Sequence, residues 1–244
     1  SIMILFFVFL KMKELIRLLI ILCLISCTNT SKNKNTPFQL MKGDILFQDL
    51  DSSPLCDAIE LVTPGYKEAN LSHIGIVSEL GDPYCINPQY IFEDNIRILE
   101  AIPNKVKTTR LDSFLQRSFD KTNKPKVIVG RLKPKYRHAI YDAIIFLKSK
   151  LNIEYDNEFL IDNNKYYCSE LIYEAFLKDS IFELQYMTFL HPESNDTLQA
   201  WSNYYAKLGA KIPQNELGIN PGIMSLSEKI EIVHIYGSPD GMKK

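Results

Sequence analysis

An excess of charge of either sign is missing from this sequence: 28 Lys and Arg stand against 29 Asp and Glu, a formal net charge of −1. No basic stripe runs along it, which argues against nucleic acid as a partner. Histidine is scarce, 4 in all. His138, His191 and His234 lie far apart, with no HExxH and no Cys/His cluster, so the chain assembles no local ligand set for a metal and calls for no cofactor. The 5 cysteines contain no CxxC pair. Cys23 and Cys27 fall near the N-terminus, which leaves Cys56, Cys85 and Cys168 in the body. That number is odd, so one thiol stays unpaired within the chain, and nothing in the sequence decides whether Cys56 and Cys85 pair. No apolar run reaches the ~20 residues needed to span a bilayer. From Gln39 onward there is no linker, low-complexity tract or internal repeat. What remains, 46% apolar and 11% aromatic over 244 residues, is a globular chain sized for one good-sized domain or two small ones.

Strand and helix patterns mix without a regular βαβ repeat, which implies an α+β fold. The strands expected are 44–48, 72–78, 96–102, 126–132 and 229–236. Helices are expected at 54–62, with Pro54 near its first turn, at 111–119, and at 134–151, where Ile140, Ile144, Leu147 and Leu151 share a face. Turns fall at Thr63-Pro64-Gly65, Gly81-Asp82-Pro83 and Pro103-Asn104. The stretch 184–221 reads as irregular and aromatic. Trp201, Tyr204 and Tyr205 within it form either a helix packing face or part of a substrate cleft.

The N-terminus reads as a targeting segment. A charged region, Met12 to Arg17, precedes an apolar run, Leu18 to Ile25, and then Ser26-Cys27 and a polar stretch. These are the parts of a secretory signal peptide. Ser26-Cys27 after Leu24-Ile25 resembles the lipobox of bacterial lipoproteins. That resemblance implies lipidation of Cys27, a leader over 1–27, a flexible tether over 28–38 and a single domain over 39–244. An ordinary signal peptide or a signal anchor is the alternative. Residues 1–11 fit no single signal peptide, and Met12 reads as the better start.

Cys168 is the most informative residue. It stands where a polar loop becomes an amphipathic helix. Cys168, Leu171, Ile172, Ala175 and Phe176 fall at i, i+3, i+4, i+7 and i+8. A thiol in the first turn of a helix feels the positive end of the backbone dipole, which favours thiolate. Alone, such a cysteine is equally a small buried core residue. A cysteine hydrolase also needs an imidazole to take and return a proton and a polar group to orient it. His73 opens the strand Ser72-His73-Ile74-Gly75-Ile76-Val77, and Glu100 is the one carboxylate of Ile98-Leu99-Glu100-Ala101. The three supply the set if the two strands pair beside the helix. The Cys168 backbone N–H would serve an oxyanion hole, with Tyr66, Tyr155 or Tyr167 as second donor.

Gly43-Asp44-Ile45-Leu46-Phe47, the His73 strand and the Glu100 strand resemble the second half of NlpC-type cell-wall peptidases. There the cysteine comes first; here its helix comes last. The order, Tyr166-Tyr167-Cys168-Ser169-Glu170-Leu171-Ile172-Tyr173 and Tyr155-Asp156-Asn157-Glu158-Phe159 resemble the circularly permuted papain-fold hydrolases of the YiiX/YebB-like group. Lecithin:retinol acyltransferase-type enzymes share that permutation. The resemblance spans 43–176 and implies Cys168 as nucleophile, His73 as base and Glu100 as orienting residue. NlpC-type peptidases more often carry histidine in the third place.

These expectations combine into a cysteine hydrolase that cleaves amides through an acyl-enzyme. With the leader and the NlpC resemblance, peptidoglycan stem peptides are the expected substrate and the cell envelope the expected compartment, with the membrane as partner through the anchor. The alternatives are acyl transfer or ester hydrolysis on lipid by the same three residues, and a binding module of the envelope.

Overall fold

The computed structural model describes residues 38–80 and 95–244. The leader, Cys27, most of the expected tether, the turn expected at Gly81-Asp82-Pro83, and Cys85 lie outside the described residues.

Six strands make one antiparallel sheet. In chain order they are β1 (Ile45–Gln48), β2 (His73–Glu79), β3 (Arg97–Ile102), β4 (Lys105–Arg110), β5 (Val127–Leu132) and β8 (Ile230–Ile235). Their spatial order is β4-β3-β2-β1-β5-β8. Around it lie α1 (Pro54–Val62), α2 (Leu111–Leu115), α3 (Ala139–Ser149), α4 (Cys168–Ala175), α5 (Gln199–Leu208) and α6 (Pro221–Ser225). A second, two-stranded sheet pairs β6 (Gln185–Tyr186) with β7 (Leu217–Gly218).

The short central strand β1, apolar but for Gln48 at its end, is buried along its whole length because both sheet faces are covered. On one face Ile45, Phe47, Ile74, Ile76 and Leu99 pack with Leu171 and Ile172 of α4 and with Ile144 and Leu147 of α3. On the other, Leu46, Val77 and Ile98 pack with Leu111, Phe114 and Leu115 of α2. The Gly43-Asp44 pair leads into β1 for two physical reasons. Gly43 sits at φ 89, where a Cβ would meet Ile140 at 2.7 Å. Asp44, fully buried, accepts a two-pronged bond from Arg131 at 2.7 Å on each oxygen and ties β1 to β5.

The mixed architecture and its antiparallel sheet agree with the α+β expectation. Four local expectations need correction. β4 was not foreseen: Pro103-Asn104 does end β3, but as the two-residue loop of a hairpin, with Ile102 opposite Lys105 and Asn104 at φ 95. β4 is a polar edge strand whose alternation is too weak to register as a strand. The expected helix 134–151 is a 3₁₀ turn at Pro134–Tyr136 followed by α3, and Leu151 lies past its end. Likewise the expected helix 111–119 stops at Leu115. The stretch 184–221 is more ordered than expected: it holds α5, ended by Gly209 in the left-handed region at φ 73, and both short strands. Trp201 and Tyr205 bury one face of α5 against Ala58 of α1 and Phe189.

Candidate active site

Cys168 is the first residue of α4, after Tyr167 in extended conformation as N-cap. The cap is held by Glu170, whose carboxyl accepts the Tyr167 N–H at 3.2 Å. Burial pushes Glu170 up to about 8, with Asp156 and Glu174 adding to it against that one backbone bond, so it is largely neutral at pH 7. First-turn N–H groups have no acceptor within their own helix. The Cys168 N–H is therefore available to an oxygen that develops negative charge beside the thiol.

His73 lies at the start of β2, near enough to Cys168 for the thiol to act on its imidazole. Its Nε2 is 2.7 Å from Glu100 Oε2, which leaves Nδ1 for the thiol. Burial opposes protonation of His73, but Cys168 and Glu100 together outweigh it and raise the imidazole to about 9. Strand register explains why His73 and Glu100 meet. His73, Gly75 and Glu100 point to one face, and Glu100 reaches diagonally across the strand pair. Gly75 makes the close approach possible: a Cβ there would stand 2.5 Å from Ile98 Cγ2. The structure thus brings together all three residues expected from the sequence.

Two residues escaped the sequence reading. Glu100 is fully buried, and Arg117, just beyond α2, grips it with both terminal nitrogens: Nη1 to Oε2 at 2.7 Å and Nη2 to Oε1 at 2.5 Å. Thr109 of β4 donates its hydroxyl to Oε1. Burial would raise the Glu100 carboxyl, and the bonds from Arg117 and His73 more than reverse that, to about 2. Arg117 lies 17 residues from Glu100 in sequence, outside any recognisable spacing. Thr109 belongs to the strand the sequence did not announce.

The thiol opens on a pocket of about 230 Å³. Its walls include Phe159, Met187, Phe189, Trp201, Ile219 and Ile223, with uncharged polar Thr63, Gln185, Thr188 and Asn220 among them, and it is lined by no Asp, Glu, Lys, Arg or His. The Tyr155–Phe159 segment shapes it. Asp156 accepts the N–H groups of Glu158 at 2.8 Å and Leu160 at 2.7 Å, closing a tight loop that holds Phe159 at φ 59. So bulky a residue in the left-handed region costs on the order of 1–3 kcal/mol. The strain sets the Phe159 ring edge-on to Tyr167 and Trp201, at 5.5 and 5.8 Å between centroids.

Of the three tyrosines weighed as second oxyanion donor, the structure favours Tyr155. It lines the pocket beside Cys168, and burial and the neighbouring thiol push its hydroxyl well above the usual range. Tyr167 also lines the pocket, but its hydroxyl oxygen is turned to the Ile219 N–H, which it accepts at 3.2 Å; Tyr66 does not line the pocket. The other histidines stand apart from the site. His138 is exposed and pairs with Asp179 at 3.0 Å. His191 accepts the Glu193 N–H in a loop. His234 of β8 stacks edge-on with Tyr236. Cys56 is a free thiol, with Ser52 and Ser53 hydroxyls at 3.5 and 3.6 Å.

A thiol at a helix start, beside an imidazole that a buried carboxylate steadies, on a chain where the nucleophile helix follows the strands that carry its partners, belongs to the cysteine amidase type of hydrolase. The chain is a member of the permuted papain-like amidase enzymes, YaeF/YiiX, C92 family, whose description matches residues 39–234. The fold is similar to the crystal structure of metalloprotein yiiX from Escherichia coli O157:H7, at 20% identity and a TM-score of 0.62, over 82% of this chain and 99% of that one. No curated protein matches the chain.

Proposed function

We propose that the protein hydrolyses amides whose acyl side is apolar, through an acyl-enzyme on Cys168. The observation that carries this reading is the apolar pocket on which the thiol opens. The Cys168 sulfur attacks the amide carbonyl carbon while its proton resides on His73. The Cys168 N–H and the Tyr155 hydroxyl face the oxygen that gains charge. His73 then gives its proton to the leaving amine, and the carbon–nitrogen bond breaks. Water attacks the thioester, His73 takes its proton, and the acid and free thiol are released. Glu100 holds Nε2 throughout, so that Nδ1 faces the thiol.

Two substrate classes follow from the sequence, and the chemistry of the pocket supports one of them. A cell-wall stem peptide carries ionised carboxylates and amines, whose burial among uncharged walls costs several kcal/mol each. A fatty acyl or similarly apolar group fits those walls. The lipid-directed reading is therefore favoured over the stem peptide, and an ester would follow the same acyl-enzyme course. Anchoring through a lipidated Cys27 at the cell envelope accords with such a substrate; the leader residues support it.

The name of the Escherichia coli protein raises the question of a metal. Among the described residues one acidic group, Asp49, Asp51 and Asp240, has the spacing to hold a cation. The Lys126 ammonium already stands among these carboxylates, at 3.0, 2.7 and 3.0 Å. Its charge fills the place a metal would take, and the residues do not fit one.

The test is incubation with a long-chain N-acyl amino acid amide and, separately, with purified sacculi, followed by mass spectrometry. Free fatty acid from the wild type and none from Cys168→Ala is the expected result. Stem-peptide fragments without deacylation would overturn the substrate assignment.

A further inference from the structure

Glu100 is held from three sides. His73 of β2 takes one oxygen, Thr109 of β4 takes the other, and Arg117 takes both. Two oxygens offer about four acceptor positions, and all four are filled. The carboxylate therefore has one orientation. Lys107 stands opposite Glu100 in the β3–β4 register, and Cys168 of α4 lies beyond His73.

Arg117 is itself fixed. Its guanidinium lies over the Phe114 ring at 5.2 Å, and the same ring lies 5.7 Å from that of His73. The Phe114 carbonyl accepts the Gln48 side-chain amide at 2.8 Å, and Gln48 is the register partner of His73. The turn that carries Arg117 is thus pinned to the strand pair that carries the imidazole.

We propose that Arg117 is a positioning residue, whose fork keeps Glu100 ionised and aims one of its oxygens at His73. Two opposing effects must be weighed. The guanidinium Nη1 lies 3.4 Å from His73 Nε2, close enough to disfavour the imidazolium by like charge. Against that, a fully buried carboxylate without a cation takes up a proton, and the imidazolium then has no counter-charge. The second effect dominates: among the influences on Glu100 the Arg117 bonds rank first against burial, whereas those on His73 are led by burial, Cys168 and Glu100. Loss of Arg117 therefore makes the thiolate–imidazolium pair harder to keep as the pH falls.

The assignment rests on Cys168 and His73 as the reacting pair, and alkylation by iodoacetamide reads that pair without any substrate. A wrong substrate class would leave the test intact. The rate of Cys168 alkylation is followed against pH in the full chain, with thermal melts to confirm folding. In Arg117→Gln the acid midpoint should rise by about one pH unit or more, the usual effect of removing a close opposite charge. Arg117→Lys keeps the charge but not the fork and should move it the same way by less. In a Glu100→Gln background, Arg117→Gln should not move it further. A midpoint unmoved in Arg117→Lys and Arg117→Gln, or moved as much without Glu100 as with it, overturns the proposal. Should Arg117→Gln fail to fold, the Arg117→Lys profile alone decides.

Discussion

His73 Nε2 stands 2.7 Å from Glu100 Oε2, and this carboxylate together with the neighbouring Cys168 raises the imidazole against its own burial. Cys56 is buried to a similar degree, 8% exposed against 7% for Cys168, but its polar neighbours are two serine hydroxyls. Burial does not distinguish the two thiols; the partner does.

Iodoacetamide at about pH 7 should therefore label Cys168 at least about tenfold faster than Cys56, and His73→Ala should remove most of that difference. Peptide mapping by mass spectrometry after timed quenching measures both rates. Equal rates in the wild type would contradict the pairing.

Stability should fall as the pH rises from about 5 to about 9. His73 is raised from 6.5 to about 9, so its contribution is whole below 6.5 and is lost as the pH rises through 9. Glu60, 4% exposed, is raised from 4.5 to about 8 by burial, and Glu170 from 4.5 to about 8 by the same cause. Both keep a proton that the unfolded chain gives up above 4.5, so each costs stability increasingly up to 8. Glu100 runs the other way: lowered from 4.5 to about 2, it stabilises above 4.5 and ceases to as the pH falls through 2. Melting temperatures across that range should decline, and Glu60→Gln should make the decline shallower. A slope unchanged in Glu60→Gln would refute its share.

A charge placed on the pocket wall should discriminate between substrates. Ile223 lines the pocket from α6 and is only half-buried, so Ile223→Glu should fold. It should reduce kcat/KM on a long-chain N-acyl amide at least about 100-fold, since a carboxylate desolvated by an alkyl chain costs several kcal/mol. The iodoacetamide rate at Cys168 should stay near wild type. Unchanged kcat/KM would mean that the acyl chain lies elsewhere.

The thiol, imidazole and carboxylate were legible because each sits in a segment whose pattern is local. Cys168 begins a helical face, His73 begins an alternating strand, and Glu100 is a lone carboxylate between apolar residues. Arg117 and Thr109 were not legible. Their role depends on which strand lies beside β3 and where the turn after α2 ends, both of which are settled by tertiary contact. Phe159 shows a similar limit: its segment was recognised, but the left-handed backbone that turns its ring into the pocket is imposed by Asp156, through bonds no periodicity reveals. Trp201 was left between a helix face and a cleft wall, and it is both.

The chain order of the site has a consequence for biosynthesis. The ribosome makes His73 and Glu100 well before Cys168, and β8, which covers the outer side of β5, is made later still. Asp240, near the C-terminus, closes on Lys126 and on the Asp49 carboxylate through its own N–H. The imidazole waits in a partly built sheet, and the thiol reaches it only when most of the domain has been translated. A nascent chain stalled before Cys168 is inert by construction, so the reactive pair comes into being only after the strands β1 to β5 have been made.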